Sequence, residues 1–484
     1  MTNKFKGIPE CKTIYEYIDK NFDKYIEEER KYLKIKCVSS SGEGIQNGAE
    51  ATANYIKSIG GEAQIVPSKV GMHPVVYGKI KSKNPKAKTL IFYSWYDVVD
   101  VIPEEWTFPP FAAEIVDAEK VRLPAELGKV VVARGALDKK GSTLPIILAL
   151  GAIREVTGDF PVNMFLVIEG EEEIWSPSLR PFVEDYYDEL NTADAVWSPG
   201  SFQEFASGLL VMHGGYNGFV ELNLEVKGGK WGGTTDQRKV WSGYNIWLDQ
   251  PLSRLVHAIS TIVSRDGRVL IEGFDENWMP PSPEERKELE RSKAQFDKTT
   301  IRDDLAAVNS FLGGRSGQEI YAEEYLTEYS YPQIIPIEIN SPHMDLSFIP
   351  MEAKARLDCR FGPNITSEEC LQKVRKHLFK CGFPEIEVTA GSRHETSRTP
   401  LSADVVQAMV RTAEAHAVDW ALWPPSCGFS AIHLFARSPI HKPAICASLG
   451  HGGRFHAPDE YYTIEGIRRK MKGVATFLHI YANM

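Results

Sequence analysis

Residues 133–173 read ARGALDKKGSTLPIILALGAIREVTGDFPVNMFLVIEGEEE and carry the clearest secondary-structure signals of the chain. It contains a long helix candidate at Gly141–Val156, followed by an almost wholly apolar strand candidate at Val162–Ile168. Further apolar runs of strand length lie upstream at Val75–Ile80 and Leu90–Trp95. Solidly apolar strands that alternate with helices indicate a sheet with both faces covered. The first part of the chain is therefore predicted to be α/β.

The middle of the chain has a different pattern. Phe219–Val226 and Ala353–Phe361 alternate apolar and polar residues, which is typical of strands that cover a core with one face only. Helix candidates at Pro251–Val263 and Ser367–Cys381 follow these strands. This succession predicts a small two-layer α+β domain.

From Ser402 onward the helix-then-strand pattern returns. The simplest organisation is a discontinuous large domain, residues 1–214 and 392–484, with a mixed central sheet flanked by helices. The smaller domain, residues 215–391, is inserted into it, and the charged stretch Gly267–Gln318 is predicted to be an insertion within the smaller domain. A chain of 484 residues is long enough for two such cores.

The bulk composition argues against several classes of protein. A net charge of -10 disfavours a nucleic-acid partner, because phosphate binding needs a basic face. No apolar run approaches the roughly 18 residues of a membrane span and no signal peptide is evident, so we expect a cytoplasmic protein without a membrane partner. The seven cysteines form no C-x-x-C pair, which argues for reduced thiols and against a thiolate zinc site. Cys427, beside Gly428, is a candidate nucleophile, with a buried inert thiol as the alternative.

Acidic and histidine residues gather in four segments at the ends of predicted strands or in the loops after them, where open α/β sheets place their sites. The segments are Ser94–Asp97, Ala133–Gly141, Glu169–Glu173 and Gly450–Glu460. Taken singly, each has an ordinary structural explanation, since strand-end carboxylates are usually solvated. Their joint order along the chain is what indicates a shared site.

This order and spacing resemble the aminoacylase/carnosinase family of zinc peptidases, which also includes glutamate carboxypeptidases and succinyl-diaminopimelate desuccinylases. The family's loop, arginine-glycine-x-x-aspartate-x-lysine-glycine, matches Arg134–Gly141. Its glutamate pair matches Glu172 and Glu173, and its histidine-x-proline-x-glutamate ending matches His456–Glu460. The resemblance covers nearly the whole chain. It implies a large zinc-peptidase-type domain with an inserted, ferredoxin-like lid domain.

The resemblance assigns a role to each matching residue. Asp138 corresponds to the carboxylate that bridges two metals, and Glu173 and His456 correspond to the other protein ligands of one of those metals. Glu172 corresponds to the general base, which takes a proton from water and passes it to the leaving amine. Three protein ligands and one open position are normal for catalytic zinc. One zinc ion per chain is therefore expected, with manganese or another divalent metal as the alternative.

The sequence departs from the family at the second metal. The family's first motif is glycine-histidine-x-aspartate, but Trp95 stands where the ligand histidine belongs, and Asp97 follows without that partner. Asp97 is kept as a candidate catalytic residue whose role is open. The family's further carboxylate ligand is absent after the strand that begins at Ala195, since Asp194 lies at the opposite strand end. Both losses affect the same metal, which predicts a single-metal site.

The resemblance also indicates where a substrate binds. Arg360 and Ser430 resemble substrate-contacting residues, and Trp95, Trp197 and Trp241 map near the active centre. Tryptophan faces bind flat or cationic groups, while ordinary core packing is the alternative for all three. Trp241 replaces a histidine that the family supplies across a dimer interface to stabilise the oxyanion.

Three functions are open on these residues. The first is a metal-dependent hydrolase that cuts an amide or related C–N bond in a small, amino-acid-like or dipeptide-like molecule. The second keeps the fold and the metal but catalyses acyl transfer, ring closure, elimination or decarboxylation. The third is a catalytically inactive binding protein, which the retained Glu172 disfavours. We predict the hydrolase, with a homodimer formed through the lid and with His213 or His451 as a candidate replacement for the oxyanion donor.

Overall fold

The structure is a computed structural model of the chain and describes residues 6–200, 203, 208–234, 238–296, 332–341, 347–424, 426 and 428–484. The α-helices in these ranges are α1 (Lys12–Lys20), α2 (Phe22–Leu33), α3 (Ile45–Ser58), α4 (Lys140–Thr157), α5 (Leu179–Asp185), α6 (Tyr187–Leu190), α7 (Pro251–Ile262), α8 (Pro283–Phe296), α9 (Ser367–Lys380), α10 (Asp404–Ala415), α11 (His433–Ala436) and α12 (Ile464–Ala482). The strands are β1 (Glu62–Val66), β2 (Val75–Ile80), β3 (Thr89–Trp95), β4 (Glu114–Asp117), β5 (Lys129–Val132), β6 (Asn163–Glu169), β7 (Ala195–Ser198), β8 (Leu210–His213), β9 (Gly215–Tyr216), β10 (Gly218–Lys227), β11 (Gln333–Asn340), β12 (Glu352–Phe361), β13 (Glu387–His394), β14 (Ser397–Arg398), β15 (Trp420–Trp423), β16 (Ala444–Cys446), β17 (Gly452–Gly453) and β18 (Tyr461–Thr463). None of the helices in the described ranges combines the length and the apolar composition that a membrane crossing needs.

An eight-stranded mixed sheet forms the centre of the large domain, in the order β1-β2-β6-β3-β7-β16-β8-β15. β3 runs parallel to both of its neighbours, β6 and β7, so the carboxyl ends of these three strands lie at one edge of the sheet. The pairs β1–β2, β2–β6 and β16–β8 are antiparallel. The predicted mixed sheet is therefore confirmed.

Alternate residues of β3 pack on opposite faces of this sheet. Leu90 and Phe92 belong to a core formed with α1 to α4, α10 and α12. Ile91, Tyr93 and Trp95 belong to a second core, formed with α5, α6 and α11. Helices thus cover both faces, which is why consecutive residues of the strand from Leu90 to Tyr93 are apolar and buried, rather than every second one.

A four-stranded antiparallel sheet, in the order β11-β12-β10-β13, builds the smaller domain. Helices α7 and α9 pack on one face, over inward residues such as Leu222 and Leu357, which lie opposite each other in the pairing of β10 with β12. The other face carries charged side chains, among them Arg356, which pairs with Glu338 at 2.9 Å. This is the two-layer arrangement that the alternating strands predict.

The chain passes between the two domains at β9 and β14, which pair with each other. Helix α8 lies in the stretch predicted to be an insertion within the smaller domain, but it packs against β15 at the edge of the large sheet. The Arg291 guanidinium lies 3.4 Å from the centroid of the Trp420 ring. Ser292 Oγ accepts the backbone N–H of Leu422 at 3.1 Å. By its contacts, α8 therefore belongs with the large domain.

A further four-stranded sheet, in the order β17-β18-β5-β4, was not predicted from the sequence. β5 leads into the loop that carries Asp138, and β18 follows the loop that carries His456. β5 and β18 pair antiparallel, with Val132 opposite Tyr461. This pairing brings the two loops side by side, although they come from distant parts of the sequence.

Candidate active site

Two loops leave the sheet edge at the carboxyl ends of β3 and β6, where Trp95 lies opposite Glu169. Asp97 follows in the first loop and is completely buried. Its carboxylate accepts the backbone N–H groups of Glu172 at 3.2 Å and Glu173 at 3.0 Å. Asp97 thus fixes the turn that carries the glutamate pair. Both of its oxygens are engaged and it has no exposed surface, which suits a positioning role; a catalytic role for Asp97 stays a prediction.

A single carboxylate organises the loop that carries Asp138. Glu460 is fully buried and accepts four hydrogen bonds. The donors are the Arg134 guanidinium at 2.8 Å and the backbone N–H groups of Gly135, Leu137 and Asp138 at 3.0, 2.8 and 2.9 Å. A buried charge is tolerated when it is paired and hydrogen-bonded, and both conditions hold here. Because Glu460 also ends the histidine motif, it ties the two loops together.

The two loops and the glutamate turn bring three side chains together. His456 Nε2 lies 3.1 Å from Asp138 Oδ2 and 3.0 Å from Glu173 Oε2, and the three ligand atoms all lie within 4.8 Å of one another. Asp138 and Glu173 are nearly buried, whereas the His456 side chain is 51% exposed. Glu173 Oε1 is buried and has no hydrogen-bond partner among the described residues. One imidazole nitrogen and two carboxylates are a donor set that suits zinc, so these residues fit one divalent ion.

The charges in this cluster favour a bound cation. Hydrogen bonds to Asp138 and Glu173 raise the pKa of His456 to about 11. Burial, followed by the charges of Glu173 and Asp138, holds the pKa of Glu172 well above its usual range. Burial would also raise the pKa of Asp138, but Lys139 and His456 outweigh it and keep that pKa below its usual range. The cluster therefore attracts positive charge, either as protons or as a divalent ion.

Glu172 is a carboxylate of this cluster that lies outside the ligand set. It begins the 3-10 turn Glu172–Ile174, directly before Glu173. Its charge interacts with those of Glu173 and Asp138, which places it within electrostatic reach of the ion site. A carboxylate beside a metal ion but not bound to it can accept a proton and return it. The general-base role that the resemblance implies for Glu172 stays a prediction.

The second oxygen of Asp138 faces a lysine that the sequence analysis missed. Lys139 Nζ lies 3.0 Å from Asp138 Oδ1 and 4.7 Å from the centroid of the Trp95 ring, and it donates to the carbonyl oxygen of Gly200 at 3.4 Å. The Lys139 side chain is only 5% exposed. Burial would lower its pKa, but the attraction of Asp138 outweighs burial and raises it. In the sequence, Lys139 stands at the variable position of the loop motif, so nothing but its charge could have singled it out.

Two of the three tryptophans expected near the active centre are buried but differ in the hydrogen bonding of the indole N–H. Trp95 is 6% exposed, and its indole N–H has no hydrogen-bond partner among the described residues. Trp197 is 1% exposed, donates to the carbonyl oxygen of Ala447 at 2.8 Å and packs against Phe92 and Phe477. The Trp197 side chain is enclosed in the core, which favours the core-packing alternative over substrate binding.

Arg360 and Ser430 come close together where the smaller domain meets the large one. The Arg360 guanidinium forms an ion pair with Asp358 at 2.8 Å. It also lies 5.1 Å from the centroid of the Phe429 ring, next to Ser430 in the chain. The hydroxyl oxygen of Ser430 accepts the backbone N–H of Ile432 at 3.3 Å. The two predicted substrate residues thus lie at one junction, although they belong to different domains.

An aromatic stack that the sequence analysis did not single out joins the glutamate turn to the smaller domain. Trp175 follows the glutamate pair and stacks on Phe219 and Phe429, with ring centroids 5.1 and 5.2 Å apart. Phe219 and Phe429 stack on each other at 4.5 Å. Trp175 is 42% exposed, so the stack presents an aromatic surface beside the ion site. Trp241, by contrast, is 62% exposed in the smaller domain, and its role in substrate binding stays a prediction.

The remaining candidates have ordinary packing contacts. His213 stacks on Trp423 with ring centroids 5.7 Å apart, and the buried His451 lies 5.9 Å from the Tyr461 ring. Their proposed part in oxyanion stabilisation stays a prediction. Cys427 lies outside the residues that the structure describes.

The fold and the site together define a class of protein, the metal-dependent hydrolases that cleave amide bonds. The chain belongs to peptidase family M20/M25/M40, whose model matches residues 91–480. It is 24% identical over 399 residues to the Cys-Gly metallodipeptidase dug1 of Schizosaccharomyces pombe, which covers 76% of this chain and 75% of that protein. It is 21% identical over 395 residues to the Beta-Ala-His dipeptidase of Rattus norvegicus, which covers 75% of this chain and 73% of that protein.

A solved structure supports the same assignment. The M20 family metallo-carboxypeptidase Sso-CP2 from Sulfolobus solfataricus superposes with a TM-score of 0.81 and 26% sequence identity. The superposition covers 95% of this chain and 99% of that chain. The predicted family, fold and hydrolase class are therefore confirmed.

Proposed function

We propose that the chain is a dipeptidase that works with one zinc ion, held by Asp138, Glu173 and His456. The observation that carries this proposal is the convergence of an imidazole nitrogen and two carboxylate oxygens within 4.8 Å, with Glu172 beside them. Manganese also accepts carboxylate oxygens, but the imidazole ligand favours zinc. When bound, the ion supplies Lewis-acid chemistry, because it polarises the scissile carbonyl and lowers the pKa of water.

Glu172 carries out the proton transfers. As a base it takes a proton from the attacking water, whose oxygen bonds to the carbonyl carbon. As an acid it then gives that proton to the amine nitrogen, which leaves with the electron pair of the broken C–N bond. Asp97 supports both steps, because its carboxylate binds the backbone N–H groups of Glu172 and Glu173 and so fixes the orientation of the turn.

The surroundings of the ion site suit a small peptide. The two curated relatives are named for Cys-Gly and for β-Ala-His, and both of these are dipeptides. Arg360 and Ser430 offer a guanidinium and a hydroxyl for the carboxylate end of such a substrate. The stack of Trp175, Phe219 and Phe429 offers a flat apolar face to a substrate side chain. We therefore propose dipeptides with a flat or cationic side chain as the substrate class.

The test compares the wild type with Glu172→Gln. After dialysis against metal-free buffer, elemental analysis should find one zinc ion per chain in both proteins. The kcat for dipeptide hydrolysis, measured on a panel that includes Cys-Gly and β-Ala-His, should fall by about 10²- to 10⁴-fold in the variant. The matched control is Glu184→Gln, an exposed glutamate of α5, which should keep both the metal and the activity. Wild-type protein without metal, or Glu172→Gln with full kcat, would contradict the proposal.

We also propose that two copies associate through the smaller domain. Among the strands that the structure describes, β11 lies at the edge of its sheet, and it carries Ile335, Ile337 and Ile339, which are 47%, 53% and 41% exposed. An open strand edge with exposed apolar side chains favours pairing with another chain. Small-angle scattering should give twice the chain mass for the wild type and a lower average mass for Ile337→Lys. A monomeric wild type would rule this arrangement out.

A cytoplasmic location completes the proposal. The six cysteines in the described ranges are all free thiols, which suits a reducing compartment. Fractionation of cells should therefore recover the protein with the cytosolic marker enzymes, and recovery outside the cell would contradict this location.

A further inference from the structure

The two carboxylate oxygens of Asp138 face different partners. Oδ2 faces the other two ligands of the ion site, at the opening to solvent. Oδ1 faces Lys139 Nζ at 3.0 Å, in a nearly buried setting. By the resemblance, an aspartate at this position bridges two metal ions, one at each oxygen. The side of Oδ1 is therefore the place where a second ion would have to bind.

The described residues around Oδ1 do not fit a second metal ion. Trp95 ends β3 and has no atom that can bind a metal. β7 ends at Ser198, and beyond it Gly200 contributes only its carbonyl oxygen, which already accepts from Lys139. Asp194 cannot take part, because it lies at the other end of β7 and accepts the backbone N–H of the first residue of β3 at 2.7 Å.

We propose that the Lys139 ammonium takes the place of the second cation. The groups around it that attract positive charge include a carboxylate oxygen of Asp138, the face of the Trp95 ring and the carbonyl oxygen of Gly200, and the charges of Cys446 and Glu172 also favour the ammonium. The tryptophan that removes a metal ligand thus supplies a surface on which an ammonium can lie. This inference rests on the proposed single-ion function and deepens it.

The ammonium also disfavours a second divalent ion by its charge. An ion beside Asp138 Oδ1 would lie next to Lys139 Nζ, which is 3.0 Å from that oxygen, and would be repelled as a like-charged neighbour. Lys139 acts on the reaction through Asp138, which makes it a positioning residue. It holds Oδ1 and thereby leaves Oδ2 directed at the ion.

The test counts metal ions in four proteins. The wild type, Lys139→Met, Trp95→His and the double variant Trp95→His/Lys139→Met are titrated with Zn²⁺ by calorimetry, and the ions are located by anomalous diffraction. The wild type and Trp95→His should each bind one ion, because the ammonium still occupies the place next to Asp138 Oδ1. The double variant should bind a second, weaker ion, since it combines the freed Oδ1 with a new imidazole.

Kinetics give an independent readout. Lys139→Met should lower kcat by about 10- to 100-fold with a smaller change in KM, as expected for the loss of a group that orients a metal ligand. Lys139→Arg keeps the positive charge and should lose less activity than Lys139→Met. In the double variant kcat should recover as Zn²⁺ is raised to the concentration that fills the second site. A lysine with a merely structural role would show no such rescue.

The outcomes separate this inference from the proposed function. Two ions per wild-type chain would overturn both the role of Lys139 and the single-ion part of the proposed function. Two ions in Trp95→His, one ion in the double variant, or an unchanged kcat in Lys139→Met would overturn the role of Lys139 alone and leave the single-ion dipeptidase proposal standing. Wild-type protein that binds no ion would overturn the proposed function itself. If thermal melting shows that the double variant does not fold, the kcat ranking of wild type, Lys139→Arg and Lys139→Met decides the question.

Discussion

The two carboxylate oxygens of Asp138 each face a positive charge, but the source of that charge differs. On the side of Oδ2, His456 and Glu173 leave room for an exchangeable ion, and the His456 side chain is 51% exposed. On the side of Oδ1, the positive charge belongs to the chain itself, and Lys139 and Trp95 are 5% and 6% exposed. A cation that is part of a side chain can be held in a site closed to solvent. An exchangeable metal ion needs a site that is open to solvent.

The largest expected effect concerns the solvent-exposed ion site on the side of Asp138 Oδ2, called the open side below; the side of Oδ1 is the closed side. His456→Ala should weaken zinc binding by more than about a hundredfold, because even the loss of a residue that only supports a ligand costs 10- to 100-fold. Dipeptide hydrolysis should fall to background at micromolar zinc, while Lys139 and Asp138 keep their ion pair. Zinc affinity by competition with a chelating dye checks this. The control is His257→Ala, an exposed histidine on α7, which should change neither quantity. Tight zinc binding by His456→Ala would disprove the ligand assignment.

The next effect concerns Glu460, whose carboxylate binds the backbone of the loop that carries Asp138 and Lys139. A change at Glu460 should therefore disturb both oxygens of Asp138. Glu460→Gln leaves the buried Arg134 without its counter-charge, which should cost about 3–5 kcal/mol of unfolding free energy. Denaturant unfolding of the metal-free protein measures the loss. The matched control is Glu465→Gln, whose side chain is 54% exposed and whose ion pairs with Arg468 and Arg469 should be worth less than about 1 kcal/mol. Equal losses in both variants would show that Glu460 is not the centre of the loop.

The proximity of Asp138, Glu173 and His456 and the two-domain fold could be predicted because their signals are local. Asp138, Glu172, Glu173 and His456 each lie in a short motif whose spacing survives in the chain. The apolar strands and alternating strands likewise announce their own burial. What could not be predicted depends on the meeting of distant segments. The role of Lys139 depends on the ends of β3 and β7, which flank it only in the folded chain.

The different positions of Trp95 and Trp197 also could not be predicted from the sequence. Both tryptophans end apolar runs of neighbouring parallel strands, so the local sequence pattern does not distinguish them. In the sheet, Trp197 lies opposite Phe92 and shares its face, whereas Trp95 lies nearer the edge on the opposite face. A small difference in register therefore decides which ring reaches the site, because each residue along a strand changes face. The packing of helix α8 against the large sheet could not be predicted for a similar reason, since its partner β15 is remote in the sequence.

A smaller effect distinguishes the two sides by their protons. Without an ion, His456 holds a proton at any pH below its pKa of about 11, so ion binding must expel that proton. Zinc affinity should therefore rise about tenfold per pH unit for each proton released. Calorimetry in buffers of different ionisation enthalpy near neutral pH should report release of at least about one proton. Lys139→Met should release the same number as the wild type, because Lys139 keeps its proton. Zinc affinity that does not change with pH would contradict the protonated state of His456.

The smallest effect probes the closed side through the ring under Lys139. An aromatic face at this distance from an ammonium contributes about 0.5–2 kcal/mol. Trp95→Phe keeps a ring with a weaker face, while Trp95→Leu keeps an apolar side chain without one. We expect kcat to fall within about threefold for phenylalanine and by about tenfold for leucine, since the ammonium loses its aromatic support only in the latter. Zinc content should stay at one ion per chain in both. Equal losses of kcat in the two variants would mean that the Trp95 ring only fills space, and that the ion pair with Asp138 alone holds Lys139 in place.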